Sequence, residues 1–435
     1  MAWQSLVHVC RRWRSVVFGS PRRLNLRLYC TTRTPVRDVL DIWPALPLLI
    51  WDDDYVVTEG VDNIIAALRC RDRVCQIHLW HAPTWNFDKF LAATQEPFPE
   101  LTNLVLCLYD GERRREPIFP DSFLGGSTPR LRSIALDRIS FPGLPKLLLS
   151  APHLVKISLT NIPHSGYISS EAIAIVLSTL ISLESLWLHF RSSQSRPDRE
   201  SRHSPPPNPI RTVLPALTSL RFKGACEYSE DLMARIDASQ LRNLHITFFD
   251  QTTFDTSQFI RFISRTPRLK ALEKAYIAFG KDNTCVTLSP QILGYGGLDL
   301  DISCRKLDQQ VSSLVQICTS SLPPFSTLEN LYIYKTPYWR LDLQDNVENM
   351  LWLDLLRPFT AVRNLYLSEE FAPRVASALQ VLVRRRLTGV LPILQNIFLE
   401  GLQPSQPVQE GIKQFVANRQ VTTGHPIIVS CWDRG

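Results

Sequence analysis

What most constrains this chain is a short phrase that keeps returning: an apolar residue, then two more at +3 and +5, usually just after a proline or a short polar turn. It occurs as Leu101/Leu104/Leu106, Leu131/Ile134/Leu136, Leu154/Ile157/Leu159, Leu183/Leu186/Leu188, Leu217/Leu220/Phe222 and Leu241/Leu244/Ile246. It returns as Leu328/Leu331/Ile333, Val362/Leu365/Leu367 and Leu394/Ile397/Leu399, and an earlier copy stands at Val74/Ile77/Leu79. The last two apolar residues are two apart, so on a strand they point to one side, while the first lies on the turn leading in. One such strand cannot bury its apolar side alone. Stacked in parallel, the copies bury those positions as one ladder, and each connection must return by a helix or an extended segment. Successive starts up to Leu241 are 27, 30, 23, 29, 34 and 24 residues apart, room for a strand, a return and a variable loop. Apolar residues recurring at three and four predict helical returns over 171–180, 256–264 and 375–385.

Two stretches break the rhythm. Residues 191–211 hold almost no apolar residue and five prolines, among them Pro205, Pro206, Pro207 and Pro209, so they are expected to be a disordered insertion. Between Leu269 and Leu328 the phrase is lost, although LGYGGLDLDIS, ending at Ser303, has the alternation of a degenerate strand. With 435 residues, 45% hydrophobic and 20% charged, the chain has an ordinary globular composition and enough length to bury a large core without staples. No apolar run approaches the ~20 residues of a spanning helix, so a soluble protein with no membrane partner is expected.

The formal charge is +7, but residues 1–37 contain eight arginines and no acid, leaving the remainder at −1. A neutral body does not supply the basic face that phosphate-backbone binding needs, so no nucleic-acid partner is expected. The ten cysteines are scattered and no secretory leader opens the chain, which predicts reduced thiols in the cytoplasm or nucleus. Cys70, Cys75, His78 and His81 have a spacing that superficially offers four zinc ligands. Alternation along a strand through Cys75 and His78 sends neighbours to opposite faces, which argues against convergence on a metal. None of the GxSxG, GxxxxGK[ST], HExxH or GxGxxG signatures is present, and GYGG at 294–297 lacks the lysine of a phosphate loop. The expectation is a chain with no catalytic residues, no metal and no cofactor.

The repeat resembles the leucine-rich-repeat family in an irregular form: where the family places an asparagine after the second apolar pair, this chain has Ile139, Ile162, Thr336 and Glu370. The resemblance implies an α/β solenoid with a parallel strand ladder. By the same resemblance, the residue between the last two apolar positions faces away from the core toward a concave binding surface. Those residues are Trp187, Arg221, His245, Tyr332, Tyr366 and Phe398, with Tyr334 and Lys223 on neighbouring outward positions. Aromatic and arginine side chains are enriched at binding hot spots, so Trp187, Arg221, His245, Tyr332, Tyr334, Tyr366 and Phe398 are the candidate substrate-binding set. The alternative is that the rings merely cover one another along the ladder.

At the N-terminus, Leu6, Val9, Cys10, Trp13 and Val17 make one apolar helical stripe, with Arg11, Arg12 and Arg14 on the other face. The string LVHVCRRWRSVVFGSPRRLNLRL resembles the second half of an F-box, and the WPALPLLIW that follows at 43–51 is similar to F-box proteins of mushroom-forming fungi. The resemblance places a partial F-box over 1–28 and the repeat domain over 29–435. It implies a substrate-recognition subunit of a ubiquitin ligase, held by a Skp-type adaptor and through it a cullin, with an unknown protein substrate on the repeats. Carried onto this sequence, the adaptor contacts are Leu6, Val9, Cys10, Trp13 and Pro21. A stand-alone repeat scaffold is the first alternative. An arginine-rich, acid-free start is also what a mitochondrial presequence looks like, which is the second.

Overall fold

The computed structural model describes residues 7–19, 27–33, 36, 38, 40, 46–52, 61–82, 87–108, 118–192, 211–249, 254–270, 272–290, 296–319, 325, 327–336, 347–385, 389–401, 406–423 and 426–432. Leu6, Pro21 and nearly all of the 191–211 insertion lie outside these residues. The chain forms two compact units, Met1–Arg202 and His203–Gly435.

The first unit contains α1 (Arg11–Gly19), β1 (Leu28–Cys30), β2 (Leu48–Trp51), α2 (Val61–Leu68), β3 (Val74–Ala82), α3 (Phe87–Ala93) and β4 (Asn103–Leu108). It continues with β5 (Ser133–Asp137), α4 (Leu144–Leu149), β6 (Lys156–Ile162), α5 (Ser170–Leu177) and β7 (Ser185–Phe190). From β1 to β7 each strand pairs in parallel with the next in chain order. The second apolar residue of each phrase falls in register: Leu104, Ile134, Ile157 and Leu186 face one another and are at most 1% exposed. Each such side chain contributes roughly 1.5–3 kcal/mol by leaving water, which is why the phrase tolerates variable loops but keeps its apolar positions. The return α5 starts where Ser169 accepts the Ala172 amide at 3.1 Å, an N-cap that replaces a missing helical partner.

The second unit opens with β8 (Thr212–Val213), β9 (Ser219–Gly224), α6 (Cys226–Arg235), β10 (Ile236–Asp237), β11 (Asn243–Phe248) and α7 (Ser257–Arg265). Then come β12 (Lys274–Phe279), β13 (Asn283–Ser289), β14 (Gly297–Ser303), α8 (Leu307–Thr319), β15 (Asn330–Lys335) and α9 (Asn349–Leu356). The last elements are β16 (Asn364–Leu367), α10 (Ala372–Arg384), β17 (Asn396–Glu400), α11 (Gln406–Thr423) and β18 (Ile428–Trp432). The helices α8 to α11 pack side by side behind the strands. The start of α7 is capped from the preceding helix, because the Glu230 carboxylate on α6 accepts the Gln258 and Phe259 amides at 2.6 and 2.9 Å. Burial pushes the Glu230 carboxyl up to about 7 in spite of those bonds.

Here the expected parallel ladder is interrupted by one antiparallel strand. The strands run β9, β11, β14, β13, β12, β15, β16, β17, β18, and β13 is antiparallel to both its neighbours. The stretch that lost the phrase is therefore three strands. The cause is connection length: residues 280–282 between β12 and β13 cannot make the crossover of a dozen or more residues that a parallel pair needs, so the chain turns straight back. Gln310 of α8 fixes the turn by donating to the carbonyls of Gly280 and Cys304 at 2.8 and 2.9 Å. The glycines at the start of β14 are explained by close approach. Gly296 has φ +86°, and a Cβ there would sit 2.7 Å from the Arg242 carbonyl; one at Gly297 would sit 2.5 Å from that of Leu288. They let β14 slide between β11 and β13.

The N-terminal stripe also divides. Val7 and Val17 are 1% exposed, whereas Val9 and Trp13 are 66% and 48% exposed and are joined by Val16 on the same side. At about 100° per residue Val17 is turned about 100° from Val16 but only about 40° from Trp13, so the stripe straddles the boundary between a buried side and an exposed one. Cys10, exposed, sits at the break between the helical residues 7–9 and α1.

Candidate functional site

Most repeat strands bury alternate residues, β4 and β6 burying three in a row, and the intervening positions form rows on the face turned away from the core. In the second unit one row runs unbroken across eight strands: Arg221, His245, Asp299, Thr287, Tyr276, Tyr332, Tyr366 and Phe398. Of the expected binding residues, Arg221 and His245 are brought together at one end and Tyr332, Tyr366 and Phe398 at the other. Tyr334 lies on the same face one step along β15, and Trp187 stands on β7 in the first unit. The residues that join the two ends, Asp299, Thr287 and Tyr276, come from the strands that carry no repeat phrase.

At the aromatic end the rings stack along the ladder. Tyr276 and Tyr332 centroids are 4.6 Å apart, Tyr332 and Tyr366 4.1 Å, and Tyr366 and Phe398 4.4 Å, with planes within 14°. These spacings are close to the distance between neighbouring strands, so the ladder itself holds the rings face to face. Their edges point outward. Trp432 of β18 stands edge-on against Tyr366 and Tyr332 at 5.4 and 6.0 Å, and its indole N–H donates to the Leu367 carbonyl at 3.4 Å. Beside the row, Asn364 donates to Asn330 at 2.9 Å and Asn396 to Asn364 at 2.7 Å, a side-chain ladder joining the starts of β15, β16 and β17. Glu370 pairs with Lys335 and accepts the Ser368 hydroxyl.

The polar end is a patch of eight side chains: Arg221 and Lys223 of β9, His245 and Thr247 of β11, Asp299 and Asp301 of β14, Thr287 and Cys285 of β13. His245 bridges two carboxylates, with Nδ1 3.7 Å from Asp299 and Nε2 3.2 Å from Asp301. The neighbouring Asp299 carboxylate, with Asp301, raises the imidazole pKa above 6.5 against the opposing effect of burial. Burial pushes Asp299 up, but His245 and the Thr287 hydroxyl outweigh it and the net shift is down. Burial dominates at Asp301, which is raised, and His245 offsets only part of that.

Thr247, His245 and Asp299 form a hydroxyl, imidazole and carboxylate series, the Thr247 oxygen lying 3.3 Å from Nε2. The series does not suit nucleophilic catalysis, because two carboxylates favour the imidazolium, which cannot accept the hydroxyl proton. Cys285 gives no better nucleophile, since burial, with Asp301 adding, pushes its thiol up to about 12. No group of three or more His, Cys, Asp or Glu positioned to hold a metal occurs among the described residues. Of the zinc-spaced set, Cys75 donates instead to the Leu48 carbonyl at 3.2 Å and His78 stacks on Trp51 at 4.7 Å. None of the ten cysteines is in a disulfide. Among the described residues no helix is long and apolar enough to cross a membrane.

No family model and no curated protein matches the chain. Among solved structures it is similar to the leucine-rich repeat-containing protein LegL7 from Legionella pneumophila. The identity is 13% and the TM-score 0.30, over 78% of this chain and 97% of that one. The assignment as a mixed α/β strand-ladder repeat therefore rests on the register and burial described above.

Proposed function

We propose that the chain is a non-catalytic recognition module whose second unit holds a protein partner on the outward row from Arg221 to Phe398. The observation that carries this reading is the continuous aromatic run Tyr276, Tyr332, Tyr366 and Phe398, half-buried by mutual stacking and edged toward solvent. Prestacked rings offer large apolar area with little side-chain entropy left to lose, which is what a protein-binding hot spot needs. Replacing Tyr332 and Tyr366 together by alanine is expected to abolish partner capture while the chain stays folded by circular dichroism. Capture unchanged by that double substitution would remove the basis of the reading.

A second, finer reading is favoured by the exposed Val9, Trp13 and Val16 on the N-terminal helix. With the F-box resemblance, that apolar side is the surface that docks on a Skp-type adaptor, so the module presents its substrate to a cullin-type ubiquitin ligase in the cytoplasm or nucleus. Cys10 is exposed at the same helix. Trp13→Ala is expected to lower adaptor co-purification by about tenfold or more. Equal co-purification would leave a stand-alone repeat scaffold as the function.

A further inference from the structure

We propose that β18 is an autoinhibitory strap: its Trp432 occupies the tyrosine row from within the chain, and a partner must displace it with an aromatic side chain of its own. The inference rests on the reading of this row as a protein-binding surface and adds what closes that surface and what opens it.

Stacking defines the seat by what it leaves over. Tyr332 and Phe398 take the two faces of Tyr366, and Tyr276 and Tyr366 take those of Tyr332. Only the ring edges remain for a ligand, and Trp432 lies across both. Its centroid is 5.4 Å from that of Tyr366 and 6.0 Å from that of Tyr332, with the planes turned by 74° and 63°. Edge contacts of this kind are among the favoured aromatic geometries. The indole is also aimed. Trp432 pairs with Glu400, the last residue of β17, yet its N–H reaches back to the carbonyl of Leu367, the last residue of β16. That is a reach of two strands, about 10 Å, along the row instead of out to solvent. The chain thereby supplies its own example of an aromatic ligand on this surface.

The strand that delivers the indole is weakly held. β18 keeps the ladder's register with β17 from Ile428 to Trp432 but not the ladder's burial. Val429 and Cys431 stand beside Ile397 and Leu399 on the core side. Ile397 and Leu399 are 0% and 3% exposed, whereas Val429 is 44% exposed and Cys431 is exposed too. Ile428, on the other face, is 61% exposed. Among the described residues no strand lies on the far side of β18. With little side-chain burial on either face, the strand is tied down by its backbone bonds to β17 and by Trp432, which places it at the low-stability end of the fold.

A strand that merely ended the array would be apolar and buried on its core side, and would need no ring on its outward side. β18 has the reverse distribution, a seated ring outward and an exposed core side, which is the arrangement of a competitor that can leave. When it leaves, the edges of Tyr332 and Tyr366 open together with the edge of β17. The occupant that fits both is an extended segment that pairs in parallel with β17 and brings an aromatic side chain to the place of Trp432.

The test uses the full chain and a dye-labelled synthetic peptide of residues 426–432 carrying Cys431→Ser, with binding followed by fluorescence anisotropy. In the chain, Ser430→Pro frees the strap: Ile428 donates its N–H to Gln395 before β17, alternation turns the Ser430 N–H the same way, and proline removes that donor. Trp432→Ala empties the seat and leaves the strand paired. A seat open a tenth of the time binds about tenfold more weakly than a free one. The Ser430→Pro chain is therefore expected to bind the peptide about tenfold or more tighter than the native chain, with Trp432→Ala between them because its strand still covers β17. The gain should vanish when the peptide's tryptophan is replaced by alanine or when Y332A/Y366A is added to the chain. If the native chain binds as tightly as both variants, and through Tyr332 and Tyr366, the strap falls and the recognition surface stands. If no chain binds the peptide, or binding ignores Tyr332 and Tyr366, the strap falls as well, and partner capture with Y332A/Y366A decides the recognition reading separately.

Discussion

The two units use the same inward rule and opposite outward ones. In the first, seven strands follow chain order without interruption, and the outward row reads Trp51, His78, Val105, Ala135, Ser158 and Trp187. Its ends carry rings, with Trp51 stacked on His78 and Lys156 over Trp187 at 5.5 Å, but its middle is small and neutral. In the second, a three-strand antiparallel insertion interrupts the ladder, and the row beside it alternates charge and then becomes continuously aromatic. The difference shows that the apolar phrase holds the ladder together while leaving the other face free to vary. The densest chemistry lies where the phrase is broken, because β13 and β14 need only period-two alternation to pair, not a turn residue that starts a new repeat.

That comparison can be attacked first at what the units share. Leu186→Ala in the first unit and Leu331→Ala in the second each remove a fully buried ladder residue. Each is expected to cost about 2–5 kcal/mol in urea unfolding; a cost below about 1 kcal/mol in either would show that its ladder is not the core. A smaller and one-sided effect is expected on the outward faces. Tyr366→Ala removes a ring stacked on both sides and should cost about 1–2 kcal/mol, whereas Ala135→Ser, its counterpart in the first unit's row, should stay within about 0.5 kcal/mol. Equal effects would erase the distinction between the two faces. The smallest effect is the pH term of the polar patch. A folded-state imidazole pKa raised above 6.5 means that His245 adds stability fully below that value and loses it as the pH climbs through the raised one. His245→Gln should flatten the stability profile over that interval, and an unchanged profile would mean that the bridge to Asp299 and Asp301 contributes nothing in solution.

Much of this ladder is legible in the sequence because it depends on local spacing. The phrase at Leu328/Leu331/Ile333 marks β15, and the helical returns at 171–180, 256–264 and 375–385 appear as Ser170–Leu177, Ser257–Arg265 and Ala372–Arg384. The alternation in LDLDIS is visible too, and it is β14. What spacing does not reveal is strand order. His245 meets Asp299 only because β14 inserts beside β11, and Tyr276 meets Tyr332 only because β12 pairs with β15 across α8. Trp432 escapes for a different reason: β18 has Ile428 and Val429 exposed and lacks the leucine phrase. Tyr332 and Tyr366 could be picked out from the repeat phrase alone, but Tyr276 and the carboxylates of β14 could not.

The central claim is that the partner sits on the second unit's outward row. Its most direct test is site-specific photo-crosslinking in cells, with a photoreactive phenylalanine analogue placed in turn at Tyr366, Thr287 and Ala135. The account predicts one and the same crosslinked protein from positions 366 and 287, lost on adding Tyr332→Ala, and none from position 135. Crosslinks concentrated at position 135, or indifferent to position, would contradict it.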